Sequence, residues 1–205
     1  MIERLMLVRH GETVDNLRGI AQGWGDSDLS EKGRAQVDRV AARIATLEPT
    51  LLFCSTLPRA VSTAEAIGRA VRLEPQKLED LREMNCGDWE GVPFLEVRSV
   101  QPDAYRKWVD DPRSPCPGGE SWHDVRVRME QALEQIRACI DGSPQNVVVV
   151  SHGTAIRVFA TALLGVSIEV ARSLAQDNAA LNLFEWRNDR WLLRTWNDRT
   201  HCEGL

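Results

Sequence analysis

Three short runs made wholly of apolar residues constrain this chain most: Leu5–Val8, Leu51–Cys54 and Val147–Val150. Uninterrupted runs of this length suit strands buried on both faces, as in a parallel sheet covered by helices. Each run stops abruptly at polar residues. The first ends in Arg9, His10 and Gly11, the second in Ser55 and, beyond it, Arg59, and the third in Ser151, His152 and Gly153. In open α/β sheets ligands bind beyond the carboxyl ends of the strands, which is where these polar residues fall.

Helical patterns lie between the runs. Ser30 is placed to cap a helix running to about Leu47, and Pro58 occupies a tolerated first-turn position of a helix through about Ala70. Ser121 and Asp124 form a capping-box pair ahead of Val125, Met129, Leu133, Ile136 and Ile140, a helical stripe that stops at Gly142. Thr154–Leu164, apolar nearly all round and closed by Gly165, predicts a buried helix. Leu181–Trp186 and Trp191–Trp196 around Asn188-Asp189 predict an antiparallel hairpin. Strands alternating with helices define an α/β fold. The proline- and aromatic-rich segment 92–117 predicts a short helix flanked by loops over one end of the sheet, a candidate lid. No repeat or linker divides the 205 residues, so residues 1–205 are expected to form one domain.

Composition narrows the function classes. A net charge of −5 gives no general attraction for nucleic acid or an anionic membrane, so any cationic site must be local. No apolar run approaches a membrane span, and the charged N-terminus does not read as a signal peptide. The five cysteines are widely spaced with no CxxC pair, which favours incidental thiols in a reducing cytoplasm over a metal cluster or disulfide framework.

Two histidines, each at a strand end and followed by glycine, make a paired signal that a lone histidine would not. Arg59 falls in the first helical turn, where a cation opposes the helix dipole unless something compensates. A bound anion would do so, and Arg9 beside His10 suggests the same. Two arginines and two histidines describe a phosphate-sized pocket. Acidic residues crowd the loop-like run Leu81–Gly91 and its approach: Glu79, Asp80, Glu83, Asp88 and Glu90. Spacing alone does not choose among them.

LVRHGET with Asn16, STLPRAVSTA, LREMNCGDWEG, PGGES and VVVVSHG, in this order, resemble the histidine phosphatase superfamily, in the branch that includes the cofactor-dependent phosphoglycerate mutases. Asp28 and Val37 depart from the common pattern at positions expected to be remote from the chemistry. The resemblance implies a three-layer α/β/α sandwich with a mainly parallel sheet and an antiparallel C-terminal hairpin. It implies His10 as the nucleophile and Glu83 as the proton donor. Arg9, Arg59, His152, Asn16 and the backbone at Gly153 would form the phosphate pocket, with Gln22 and Gly23 at the substrate mouth. No metal and no cofactor are implied.

The expected activity is hydrolysis of a small-molecule phosphoester through a phosphohistidine, by a monomer or homodimer. Mutases of the family carry a longer insertion ahead of PGGES, so the short segment 92–117 favours a phosphatase over a phosphoglycerate mutase. Arg98, Arg106, Lys107 and Arg113 are available there to grip an anionic substrate, with solvated surface the default for each, and Trp89 is the tryptophan expected to shape the pocket. Two rivals remain at this stage. A metal hydrolase lacks an HxH or HExxH pattern, and a non-catalytic phosphate-binding regulator has no need of a placed acid.

Overall fold

A computed structural model describes residues 1–205. Its centre is a six-stranded sheet in the order β3-β2-β4-β1-β5-β6. The strands are β1 (Ile2–Arg9), β2 (Leu51–Ser55), β3 (Gln76–Leu78), β4 (Gln145–Ser151), β5 (Leu181–Arg187) and β6 (Arg190–Asp198). β1 runs parallel to β4, and β2 runs parallel to both β4 and β3. β5 and β6 are the antiparallel hairpin, joined at Asn188 and Asp189, both with positive φ as a tight turn of this hand requires.

Alternate strand residues feed two cores. Leu5, Leu7, Phe53, Val147 and Val149 face α6 (Trp122–Ala138) and α7 (Gly153–Leu164). Met6, Val8, Leu52, Cys54, Val148 and Val150 face α2 (Glu31–Ala45) and α3 (Pro58–Val71). The apolar runs are continuous because both faces of these strands are covered, which makes the three layers.

The caps form as the side chains dictate. Ser30 Oγ accepts from Gly33 N at 2.9 Å, Pro58 is the first residue of α3, and Ser121 and Asp124 bond reciprocally. α6 ends at Ala138, short of Gly142; Ile140 lies past the helix yet still packs on the core. The segment 92–117 holds two helices rather than one, α4 (Phe94–Val100) and α5 (Pro102–Asp110), split at Gln101 because Pro102 can begin a helix but not continue one.

β1 and β4 are neighbours, yet the helices that follow them pack on opposite faces, α2 in one core and α7 in the other. Their carboxyl ends therefore flank an open crevice, the switch point of the sheet. Register makes the crevice specific. Arg9 pairs with Ser151, so His10 and His152 are the next residues on adjacent strands.

Candidate active site

The crevice opens into a cavity of about 260 Å³ lined by Arg9, His10, Asn16, Gln22, Gly23, Arg59, Glu83, Thr154 and Arg157 among others. A depression of about 360 Å³ at the opposite end of β1, walled by Met1, Ile2, Ile140, Trp186 and Trp191, has no nucleophile or convergent polar groups. Convergent charge singles out the first.

His10 is buried, and its ring centroid lies 5.1 Å from that of His152. Its Nδ1 is 2.7 Å from the carbonyl of Gly11. A carbonyl only accepts, so Nδ1 carries the hydrogen and Nε2 keeps its lone pair. The turn that aims the ring is tight: a Cβ on Gly11 would fall 2.6 Å from Val37 Cγ2 and 2.7 Å from the Gly33 carbonyl. Val37, expected to be remote, thus abuts the His10–Gly11 turn. Gly11 N donates to Thr63 Oγ1 at 3.2 Å, fixing the turn to α3.

His152 is fully buried, with Nε2 2.8 Å from Ser55 Oγ, while its Nδ1 has no protein partner. Ser55 Oγ also accepts from Leu57 N at 3.2 Å. Its own hydrogen is then free for His152 Nε2, the arrangement that leaves Nδ1–H to donate to a ligand.

Arg9 donates to the Gln176 carbonyl at 2.5 Å, and Arg59 donates to the carbonyls of Gly23 and Gly25, both at 2.7 Å. Those two carbonyls partly compensate Arg59 for its place in the first turn of α3, which the sequence reading left to an anion alone. Nε of each arginine remains unpartnered. Burial is the main influence lowering the pKa of Arg9, to about 10, and it stays charged at neutral pH. Gly23 has φ of +51°, and a Cβ there would fall 2.1 Å from Glu90 Oε1, so glycine is required where the loop turns back to Arg59.

Asn16 Oδ1 accepts from Thr13 N at 3.1 Å and Asn178 Nδ2 at 3.0 Å, which turns its own amide nitrogen toward the cavity. Gln22 Nε2 donates to Thr13 Oγ1 at 2.8 Å, leaving Oε1 buried and unpaired. Turning that amide over would let the Thr13 hydroxyl donate to Oε1 and aim two N–H groups at the site. α1 (Val14–Arg18), whose N-terminal box is made by Thr13 and Asn16, anchors this wall.

Glu83 closes the far side. Its Oε1 accepts from Met84 N at 2.8 Å and Ala155 N at 3.1 Å, and Oε2 from Thr154 N at 3.0 Å. Thr154 and Ala155 are in the first turn of α7, whose free amides hold the carboxyl group in place. Gly153, which starts α7, would bring a Cβ to 3.4 Å from the Arg9 guanidinium carbon.

All nine sequence candidates, His10, Glu83, Arg9, Arg59, His152, Asn16, Gln22, Gly23 and Gly153, therefore gather around one crevice. The basic residues of segment 92–117 keep their default, solvent-exposed places, and Trp89 does not reach the cavity. Arg98, Arg106, Lys107 and Arg113 do not line the cavity; the segment contributes Phe94 and Trp108 instead. Trp89 is buried behind them, with Nε1 2.9 Å from Gln101 Oε1. Ser55, Thr63, Asn178, Arg128 and Arg157 were missed. Ser55 had a signal, as a polar residue at the end of β2, and Arg157 had one, as a charge in a mostly apolar helix, whereas Asn178, in the turn before β5, and the other helical residues had none. No group of three His, Cys, Asp or Glu side chains is placed to hold a metal ion.

Burial first, then Arg59 and Arg9, push His10 well below its ordinary pKa of 6.5; burial first, then Arg59, does the same to His152. Both are neutral in the fold at neutral pH, so below about pH 6.5 the unfolded chain binds protons that the folded chain refuses. Stability should therefore decline as pH falls from 7.5 toward 5.5. The slope approaches about 2.7 kcal/mol per pH unit if both histidines titrate fully in the unfolded state. Urea midpoints measured across that range check it; midpoints flat with pH would show that the imidazoles take protons in the fold.

A switch-point crevice with paired strand-end histidines defines a phosphate-handling α/β protein. The family model of the histidine phosphatase superfamily (branch 1) matches residues 5–199, and the chain belongs to that family. Glucosyl-3-phosphoglycerate phosphatase of Mycolicibacterium vanbaalenii is 38% identical over 174 residues, covering 82% of this chain and 77% of the relative. Phosphoserine phosphatase 1 of Hydrogenobacter thermophilus is 34% identical over 199 residues, covering 97% and 93%. A mycobacterial glucosyl-3-phosphoglycerate phosphatase solved with VO3 superposes with a TM-score of 0.88 at 32% identity, over 96% of this chain and 100% of that one.

Proposed function

We propose that the protein is a metal-independent phosphomonoesterase of small phosphorylated metabolites, working through a phosphohistidine at His10. The observation that carries this reading is the free Nε2 of a buried, neutral imidazole beside the buried guanidinium of Arg59 and the half-buried one of Arg9, with a carboxyl group across the cavity. Nε2 attacks phosphorus as the bond to the ester oxygen breaks. Arg9, Arg59, His152 Nδ1–H and the Asn16 amide meet the charge on the equatorial oxygens. The leaving oxygen takes a proton from Glu83. Oε2 is the suited oxygen, since it holds one amide donor and Oε1 holds two. Glu83, now ionised, takes a proton from the water that attacks the phosphohistidine; phosphate leaves and Nε2 is regenerated.

The relatives named for phosphatase activity support hydrolysis. Hydrolysis rather than mutase transfer is also favoured by the short segment 92–117, whose four basic residues stay off the cavity wall and add no second cationic grip on an organic product. The free thiols at all five cysteines suit a reducing cytoplasm.

Brief incubation with a phosphorus-labelled phosphoester, quenched and run on an alkaline gel, should give acid-labile label on His10. Phosphate release should persist in excess chelator. Label on serine or a carboxylate, or activity restored only by a divalent metal, would refute the mechanism.

A further inference from the structure

Arg157 is the third guanidinium of the cavity, and the two-step chemistry leaves it without a task. It projects from the first turns of α7, with Nε 3.3 Å from the Gly153 carbonyl and Nη2 3.2 Å from Thr154 Oγ1. Its guanidinium carbon lies 5.3 Å from the ring centre of Trp122, a buried indole flanked on another side by Arg172. These contacts fix the plane of the group but leave Nη1 without a hydrogen-bond partner, and no carboxylate forms an ion pair with it. A held, partly desolvated guanidinium with a free edge toward a cavity is an anion receptor by construction.

The anion it serves is not the transferred phosphate alone. Arg9 has Asp177 in its field as well as Glu83, and Arg59 has Asp26 and Glu90. For Arg157, Glu83 is the only acid acting. Glu83 must be protonated to serve the leaving oxygen, and at that moment Arg157 loses its only counter-charge. Arg9 and Arg59 keep their other acids, so Arg157 is then the guanidinium of the cavity left without a carboxylate of its own. A half-buried guanidinium without a counter-charge is costly, and a ligand that brings a carboxylate to it removes the cost. The apolar wall of Ile20, Met84, Phe94 and Trp108 offers no other polar receptor, and the basic residues of 92–117 do not reach the cavity.

We propose that Arg157 is a specificity-determining residue that binds a carboxylate on the leaving portion of the substrate, so that the favoured substrates are small phosphomonoesters bearing a carboxylate close to the ester oxygen. The inference rests on the phosphatase reading. A planar carboxylate matches the free guanidinium edge, whereas a second phosphate would bring two charges to one arginine.

The matched probes are 3-phosphoglycerate and glycerol 3-phosphate, which differ by a carboxylate in place of a hydroxymethyl group. The wild-type protein should favour 3-phosphoglycerate in kcat/KM. Arg157→Gln should lower that value about tenfold more than the value for glycerol 3-phosphate, the scale of one charge-assisted hydrogen bond, and mainly through KM. Arg157→Lys should keep part of the preference and stands in should the glutamine variant fail to fold. Calorimetry on His10→Ala protein, with and without Arg157→Gln, reads the same difference as affinity without turnover. Equal losses on both probes, or a wild-type protein indifferent to the carboxylate, would overturn the assignment. Absence of phosphate release from the wild-type protein would instead sink the phosphatase reading, while the calorimetric pair still decides Arg157.

Discussion

His10→Ala should lower phosphomonoester hydrolysis on the order of 10⁵-fold, the scale seen when an enzyme loses its nucleophile. The effect is large because no neighbour can substitute. Ser55 Oγ is committed to Leu57 N and His152, and Thr63 Oγ1 to Gly11 N and the Arg59 carbonyl. The thiol of Cys86 lines the cavity, but it donates to the Met84 carbonyl at 3.5 Å, and the neighbouring Cys116 and burial both raise its pKa, so it stays protonated and weakly nucleophilic. The fold should survive, because the ring makes its one hydrogen bond to the adjacent residue's carbonyl. The variant also lacks a group that must stay neutral in the folded state. Its stability should therefore depend less steeply on pH between 7.5 and 5.5 than that of the parent. Steady-state phosphate release and urea melts at the two pH values test both statements. Residual turnover above about a hundredth of the parent's would mean that another group accepts the phosphoryl.

The sequence made the centre of the sheet legible and its margins obscure, for physical reasons. β1, β2 and β4 are buried on both faces, so their apolar runs need no partner to be read. β3 is three residues, two of them exposed, held by pairing with β2 rather than by any pattern of its own. α1 spans five residues with none buried, too short for a helical period to show. At the site, His10 and His152 were readable as strand-end residues, but their contact depends on register, in which Arg9 pairs with Ser151. Arg157 and Arg128 were hidden for another reason. An arginine on an amphipathic helix such as α6 reads as solvent-facing, and one in the mostly apolar α7 has no readable partner, unless the element packed against it is known. The elements concerned here, the acid loop and the cavity wall, come from distant parts of the chain.

Arg128 shows how much such a residue can control. It is 9% exposed, and its guanidinium donates to the carbonyls of Asp80, Arg82 and Glu83 at 2.9, 2.6 and 2.9 Å. It also grips Glu120 of the PGGES stretch at 2.8 and 3.0 Å, and Glu120 in turn accepts from Asn85 N at 2.7 Å. One cation thus holds the backbone on both sides of the proposed acid. Arg128→Met should cost about 3–5 kcal/mol, because Glu120 is left charged, largely buried and without its counter-ion. It should also lower turnover about 100-fold, since the acid loop loses three fixed carbonyls and small displacements near a reacting centre are expensive. Pairing it with Glu120→Met separates the two effects. Removing the orphaned carboxylate should restore much of the stability, as replacement of a whole buried pair often does, while turnover stays low because the carbonyls of Asp80, Arg82 and Glu83 remain unheld. Denaturant midpoints and kcat on the single and double variants distinguish these outcomes. If turnover returned together with stability in the double variant, the hydrogen bonds to those carbonyls would not be what positions Glu83.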